Sequence, residues 1–116
     1  MRACEWTHMR IGMIPHSSLE DLLAALSEPT RLAALQVVWD GQEHCVCELM
    51  GRLGASQSRM SRHMARLKAA GLLTDRRDAQ WVRYRRNPDI PQAWVAIIDA
   101  VLAARPAVIA GQTKVV

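Results

Sequence analysis

Apolar positions recur at helical spacing through most of the chain. Leu19, Leu22, Leu23 and Leu26 follow the i, i+3, i+4, i+7 rule of one helix face, with Ser18 placed to cap it. Pro29 suits the first turn of a second helix, whose inward positions are Leu32, Leu35 and Val38 and which Asp40-Gly41 stops. Val46, Leu49, Met50 and Leu53 mark a third helix that ends around Gly51–Gly54. Ser56 then closes a short turn and can cap a fourth helix, over residues 57–70, with Met60, Met64 and Leu67 inward and Gly71 as its stop. Beyond it the period changes to two. Residues 72–77 and 80–86 read as strands joined around Asp78-Ala79, with Val82 and Tyr84 alternating against Arg83 and Arg85. A last helix covers residues 92–104. Its apolar set, Trp94, Val95, Ile97, Ile98, Val101 and Leu102, is too wide for one contact surface and suggests a dimer seam. Residues 1–17 lack periodicity and read as an arm, residues 18–104 as one folded domain, and residues 105–116 as a tail.

Composition narrows the class. A chain of 116 residues supports one modest core, and pairing with a second copy is a common way to complete it. No apolar run reaches the length of a membrane span, and the first residues contain no continuous apolar segment of the signal-peptide kind. Three cysteines, an odd number, point to free thiols in a reducing cytoplasm.

Charge points to a partner. The net +4 conceals an uneven layout: from Arg52 to Arg86 there are ten Lys/Arg and two acids, whereas the rest of the chain holds five basic and nine acidic side chains. One sign of charge gathered in a third of a domain is the footprint of a polyanion binder. Two helices about a tight glycine turn, followed by a basic two-stranded ribbon, spell a winged helix-turn-helix, mostly α with a β-hairpin wing. On the fourth helix the buried methionines place Ser58 and Arg62 on the far side, flanked by Arg59 and Ser61, with Gln57 at the tip. Arg can bond guanine through two hydrogen bonds, Gln can read adenine, and Ser takes a base or a phosphate. Arg83, Arg85 and Arg86 on the ribbon would hold the backbone of double-stranded operator DNA. His63, at the edge of the buried stripe, reads as a core-edge residue with no specific contact.

The runs ALSEPTRLAAL (Ala25–Leu35) and SQSRMSRHMARLKAAGLL (Ser56–Leu73), with the basic hairpin after them, resemble the ArsR/SmtB family of metal-sensing repressors. The resemblance covers residues 18–104 and implies a homodimer that occupies its operator when empty and leaves when an ion binds. Within that family, CVCEL at the head of the third helix looks like the thiolate motif of arsenic, antimony and cadmium/lead sensors, which would make Cys45 and Cys47 the metal ligands and As(III) or Sb(III) the inducer. It also implies that Cys4, on the arm, can serve as the third sulfur, while Met50, at the position of a third cysteine in the simplest arsenic sensors, reads as core. His44 is a further candidate ligand that would tilt the site toward zinc or cadmium. Three sulfurs without a nearby carboxylate or imidazole cluster favour a thiophilic ion. Asp99 stands without a histidine in the last helix, so the zinc site of other family members is not expected.

Geometry raises a difficulty. Residues two apart on a regular helix lie about 200° apart around its axis. Cys45 and Cys47 are therefore expected to be poorly placed for a disulfide with each other. Binding one ion requires either that Cys45 precede the helix or that the first turn unwind. The alternatives on the same scaffold are a Cd/Pb/Zn-responsive repressor and a thiol redox or sulfur sensor. Nothing supports an enzyme: there is no phosphate loop, and CxC is not the CxxC of a redox catalyst.

Overall fold

The computed structural model describes residues 18–105. Cys4, the arm and the tail beyond Arg105 lie outside the described residues. The first helix, α1 (Leu19–Leu26), starts at a reciprocal cap in which Ser18 Oγ accepts from the Asp21 N–H at 3.0 Å and the Ser18 N–H donates to the Asp21 carboxylate at 3.2 Å. Leu22 and Leu26 are buried, whereas Leu19 and Leu23 are 46% and 48% exposed. Helix α2 (Pro29–Val38) has Pro29 in its first turn and the Glu28 carboxylate as its cap, accepting from the Arg31 N–H at 2.9 Å. It buries Ala34, Leu35 and Val38.

A strand of two residues follows, β1 (His44–Cys45), and then α3 (Val46–Leu53) and α4 (Gln57–Ala69). Gly54 ends α3 at φ 68°, the left-handed conformation that turns the Ala55 N–H back onto the Met50 carbonyl at 3.3 Å, where the Gly54 N–H already donates at 2.9 Å. Ser56 Oγ caps α4 by accepting from the Arg59 N–H at 3.2 Å. Met60, Met64 and Leu67 are fully buried, as the spacing requires. The hairpin β2 (Leu73–Asp78) and β3 (Trp81–Arg86) begins and turns one residue later than the sequence suggests, with Ala79 at φ 59° in the turn. The last helix is α5 (Gln92–Ala104). Ile98 and Leu102 are buried, while Trp94, Val95, Ile97 and Val101 are half-buried against the core.

The sheet has the order β1-β3-β2, all antiparallel. The element missing from the sequence reading is β1. It pairs His44 with Tyr84 and Cys45 with Arg83, so the wing is stitched directly to the start of α3. Two residues are too few to leave a periodic pattern. No helix among the described residues is long and apolar enough to cross a membrane.

Candidate nucleic-acid interface and thiol site

Gln57, Ser58, Arg59 and Arg62 are exposed on α4, on the side away from the buried methionines, with Ser61 half-buried beside them. A helix beginning on this side also offers its positive N-terminal end to an anion. The wing is less open than its charge suggests. Arg83 is half-buried and donates from Nε to Asp78 at 2.7 Å. Arg86 lies over the Trp39 ring, 3.9 Å from its centroid, and donates to the Trp39 carbonyl at 3.4 Å. Strand alternation explains this: Arg86 has the parity of Val82 and the buried Tyr84, so it turns to the core side. Of the three ribbon arginines expected at DNA, only Arg85 is exposed. Arg76 stays exposed but grips Glu43 through two bonds of 2.7 Å each, which fixes the wing to the loop before β1.

The cysteine pair departs from expectation. Cys45 is not in the helix; it is the N-cap of α3, with φ −72° and ψ 145°, and it belongs to β1. Its Sγ accepts from the Cys47 N–H at 3.3 Å. With Cys45 extended and Cys47 in the first turn, their Cα atoms are 5.2 Å apart and the two sulfurs meet as a disulfide pair. The sequence expectation that they are poorly placed to join is thereby overturned, because the 200° argument holds only when both residues are helical. No unwinding is required. Cys45 is 8% exposed and Cys47 is exposed, so an ion can approach from the Cys47 side.

Asp40, His44 and Glu48 form a chain of their own at i, i+4 spacing. His44 Nε2 faces the Asp40 carboxylate at 3.0 and 3.1 Å, and Nδ1 faces that of Glu48 at 3.0 and 3.1 Å. Burial disfavours the charged imidazole, but the two carboxylates prevail and the His44 pKa is raised. With a carboxylate on each nitrogen the ring has no lone pair to give, so His44 is not arranged as a ligand. Among the described residues no three His, Cys, Asp or Glu side chains converge on a metal position. Met50 is half-buried against the core, and Asp99 accepts from Trp39 Nε1 at 2.6 Å, which accounts for both without a metal.

Residues 28–75 match the family described as "Bacterial regulatory protein, arsR family". The chain is 48% identical over 75 residues to the arsenic resistance transcriptional regulator ArsR2 of Pseudomonas putida, covering 65% of this chain and 64% of that protein, a little under two thirds of its length. It is 46% identical over 79 residues to the arsenical resistance operon repressor of Escherichia coli, covering 67% of each. Among solved structures, HlyU from Vibrio cholerae is 36% identical with a TM-score of 0.60, over 70% of this chain and 84% of HlyU.

Proposed function

Because the chain belongs to the arsR family of bacterial regulatory proteins, we propose that it is a DNA-binding transcriptional repressor released from its operator by a thiophilic ion, As(III) or Sb(III), held by Cys45 and Cys47. It acts as a homodimer, with α1 and the broad apolar side of α5 forming the seam. Gln57, Ser58, Arg59, Ser61 and Arg62 read or flank the major groove, and Arg85 holds the backbone. Arg83 reaches DNA only if it leaves Asp78, and Arg86 serves the fold.

The single observation that carries the inducer reading is the convergence of two sulfurs at the N-cap of α3, one buried and one exposed. The switch follows from what else those atoms do. Cys45 Sγ holds the first turn of α3, which underlies the reading helix, while the Cys45 backbone pairs with Arg83 of the wing. A Cys45 thiolate drawn onto an ion gives up its bond to the Cys47 N–H and pulls on β1, so both DNA-contacting parts feel the change. Each thiol that joins arsenite loses its proton to a departing hydroxide, which leaves as water. Cys4 supplies the third sulfur for a trigonal ion.

One observation favours a second reading on the same residues: the pair closes on itself as a disulfide. In that reading peroxide oxidises the two thiols to one disulfide and is reduced to water, and DNA release follows oxidation. A gel-shift titration separates the two. With strong reductant present, arsenite is expected to release the duplex; an intact complex at arsenite well above the thiol concentration would remove the arsenic assignment. Release by peroxide alone, reversed by dithiothreitol, would support the redox reading instead.

A further inference from the structure

Arg31 is a charged side chain buried to 8% exposure, and its three donor groups reach three places. Nε donates to the Ala25 carbonyl at 2.7 Å and Nη2 to the Ala24 carbonyl at 3.3 Å, both in the last turn of α1; the Ala24 carbonyl also accepts from the Ser27 N–H and hydroxyl. Nη1 meets Nδ1 of His63, on the reading helix, at 3.3 Å. A guanidinium has only donors, so His63 Nδ1 must present its lone pair and the ring must carry its proton on Nε2. Glu28, the cap of α2, is the nearest carboxylate, but at 3.8 Å from Nδ1 it is beyond hydrogen-bonding distance. The His63 side chain is 15% exposed and stands between two elements it does not belong to and the helix that would enter DNA.

We propose that Arg31 and His63 are positioning residues that fix the angle of the reading helix, with neutral His63 accepting from a guanidinium anchored on the end of α1. The inference rests on the DNA-binding reading above. Protonating His63 puts a donor against Arg31, breaks that contact and draws the ring toward the Glu28 carboxylate, 3.8 Å away at the start of α2. The charged groups facing the ring are Arg31 and Glu28 from α2 and Arg59 and Arg62 from α4 itself. Burial lowers the His63 pKa, Glu28 opposes this, and the three arginines add to the lowering, so the neutral form is held at neutral pH.

The consequence runs against simple electrostatics. A solvated histidine beside Arg59 and Arg62 would strengthen DNA binding when protonated, whereas a positioning histidine weakens it. The test uses the full-length chain under reductant and a fluorescein-labelled duplex selected by it from a random-sequence pool, titrated by anisotropy at constant ionic strength. Between about pH 7.5 and about pH 5.5 the wild type is expected to lose roughly fivefold to tenfold in affinity, the size of one ordinary intramolecular hydrogen bond. His63→Asn, whose Oδ1 can replace Nδ1 as acceptor but cannot titrate, is expected to bind like wild type at the higher pH and to stay flat on acidification. The other histidines remain in that variant, so a decline that it shares with wild type would overturn the inference. So would wild-type affinity that rises or holds steady. A pool that yields no bound duplex would overturn the DNA reading and this inference with it. Nitrogen-15 spectra of the free protein give an independent check: an unprotonated Nδ1 is expected at neutral pH, and a Nδ1–H tautomer would overturn the assignment.

Discussion

Cys45 holds two jobs in one side chain: it caps a helix and it presents a sulfur. Serine caps better than cysteine, so Cys45→Ser should keep α3 and DNA binding while abolishing the arsenite response in a gel shift. Cys47→Ser should do the same; a normal response in either variant would disconnect that sulfur from the site. His44 gives a prediction with a sign. Its raised pKa means that the folded state binds the proton more tightly than the unfolded chain does. The stabilisation is complete below the ordinary histidine value and is lost as pH rises through the raised one. Thermal melts of the ion-free protein should therefore fall over that window, and His44→Asn should flatten this part of the profile; an unchanged profile would show that the bridge contributes nothing. At this scale the chemistry was legible but the contacts were not. The Asp40, His44, Glu48 spacing stood in the sequence, yet only the fold decides that the ring lies between the two carboxylates. Arg86 was read by its charge, whereas its parity with Tyr84 sets it over the Trp39 ring.

The elements were largely legible because their signals are periodic and their ends carry caps. Ser18, Ser56 and Pro29 all sit where the pattern put them, and the helix limits agree within about a residue. What escaped was β1, a strand defined by its partner and not by its own composition, and with it the true position of Cys45. Ser56→Ala tests the cap of the reading helix: a loss of about 1 kcal/mol in denaturant melts is expected, since the Arg59 N–H loses its acceptor. Ala79 offers the opposite case. At φ 59° its side chain is strained, and Ala79→Gly should stabilise the hairpin by about 0.5–1 kcal/mol after the added freedom of the unfolded chain is counted. A destabilised variant would mean that the turn adopts another conformation in solution.

For the whole molecule, the uneven charge foretold a polyanion face, but ion pairs within the fold take up part of it. Arg85→Ala should lower the salt slope of DNA binding by about one, while Arg86→Ala should leave the slope alone and reduce stability instead. An equal drop in slope for both would return Arg86 to the DNA surface. Dimerisation is tested on α1. Leu23 is 48% exposed on α1, beside the exposed Leu19, whereas Leu22 and Leu26 are buried, and Leu23→Asp should give monomers by sedimentation equilibrium and weaken operator binding. A dimer that survives this change would place the seam elsewhere.

The placing of one sulfur at a helix end has a cost in discrimination. An alkylating reagent, a mercurial or a mild oxidant that occupies Cys45 removes the same acceptor from the Cys47 N–H as the intended ion would. The response itself is blind to what caused it. Whatever selectivity this protein has among thiol-seeking agents must be exercised earlier, at the approach past Cys47.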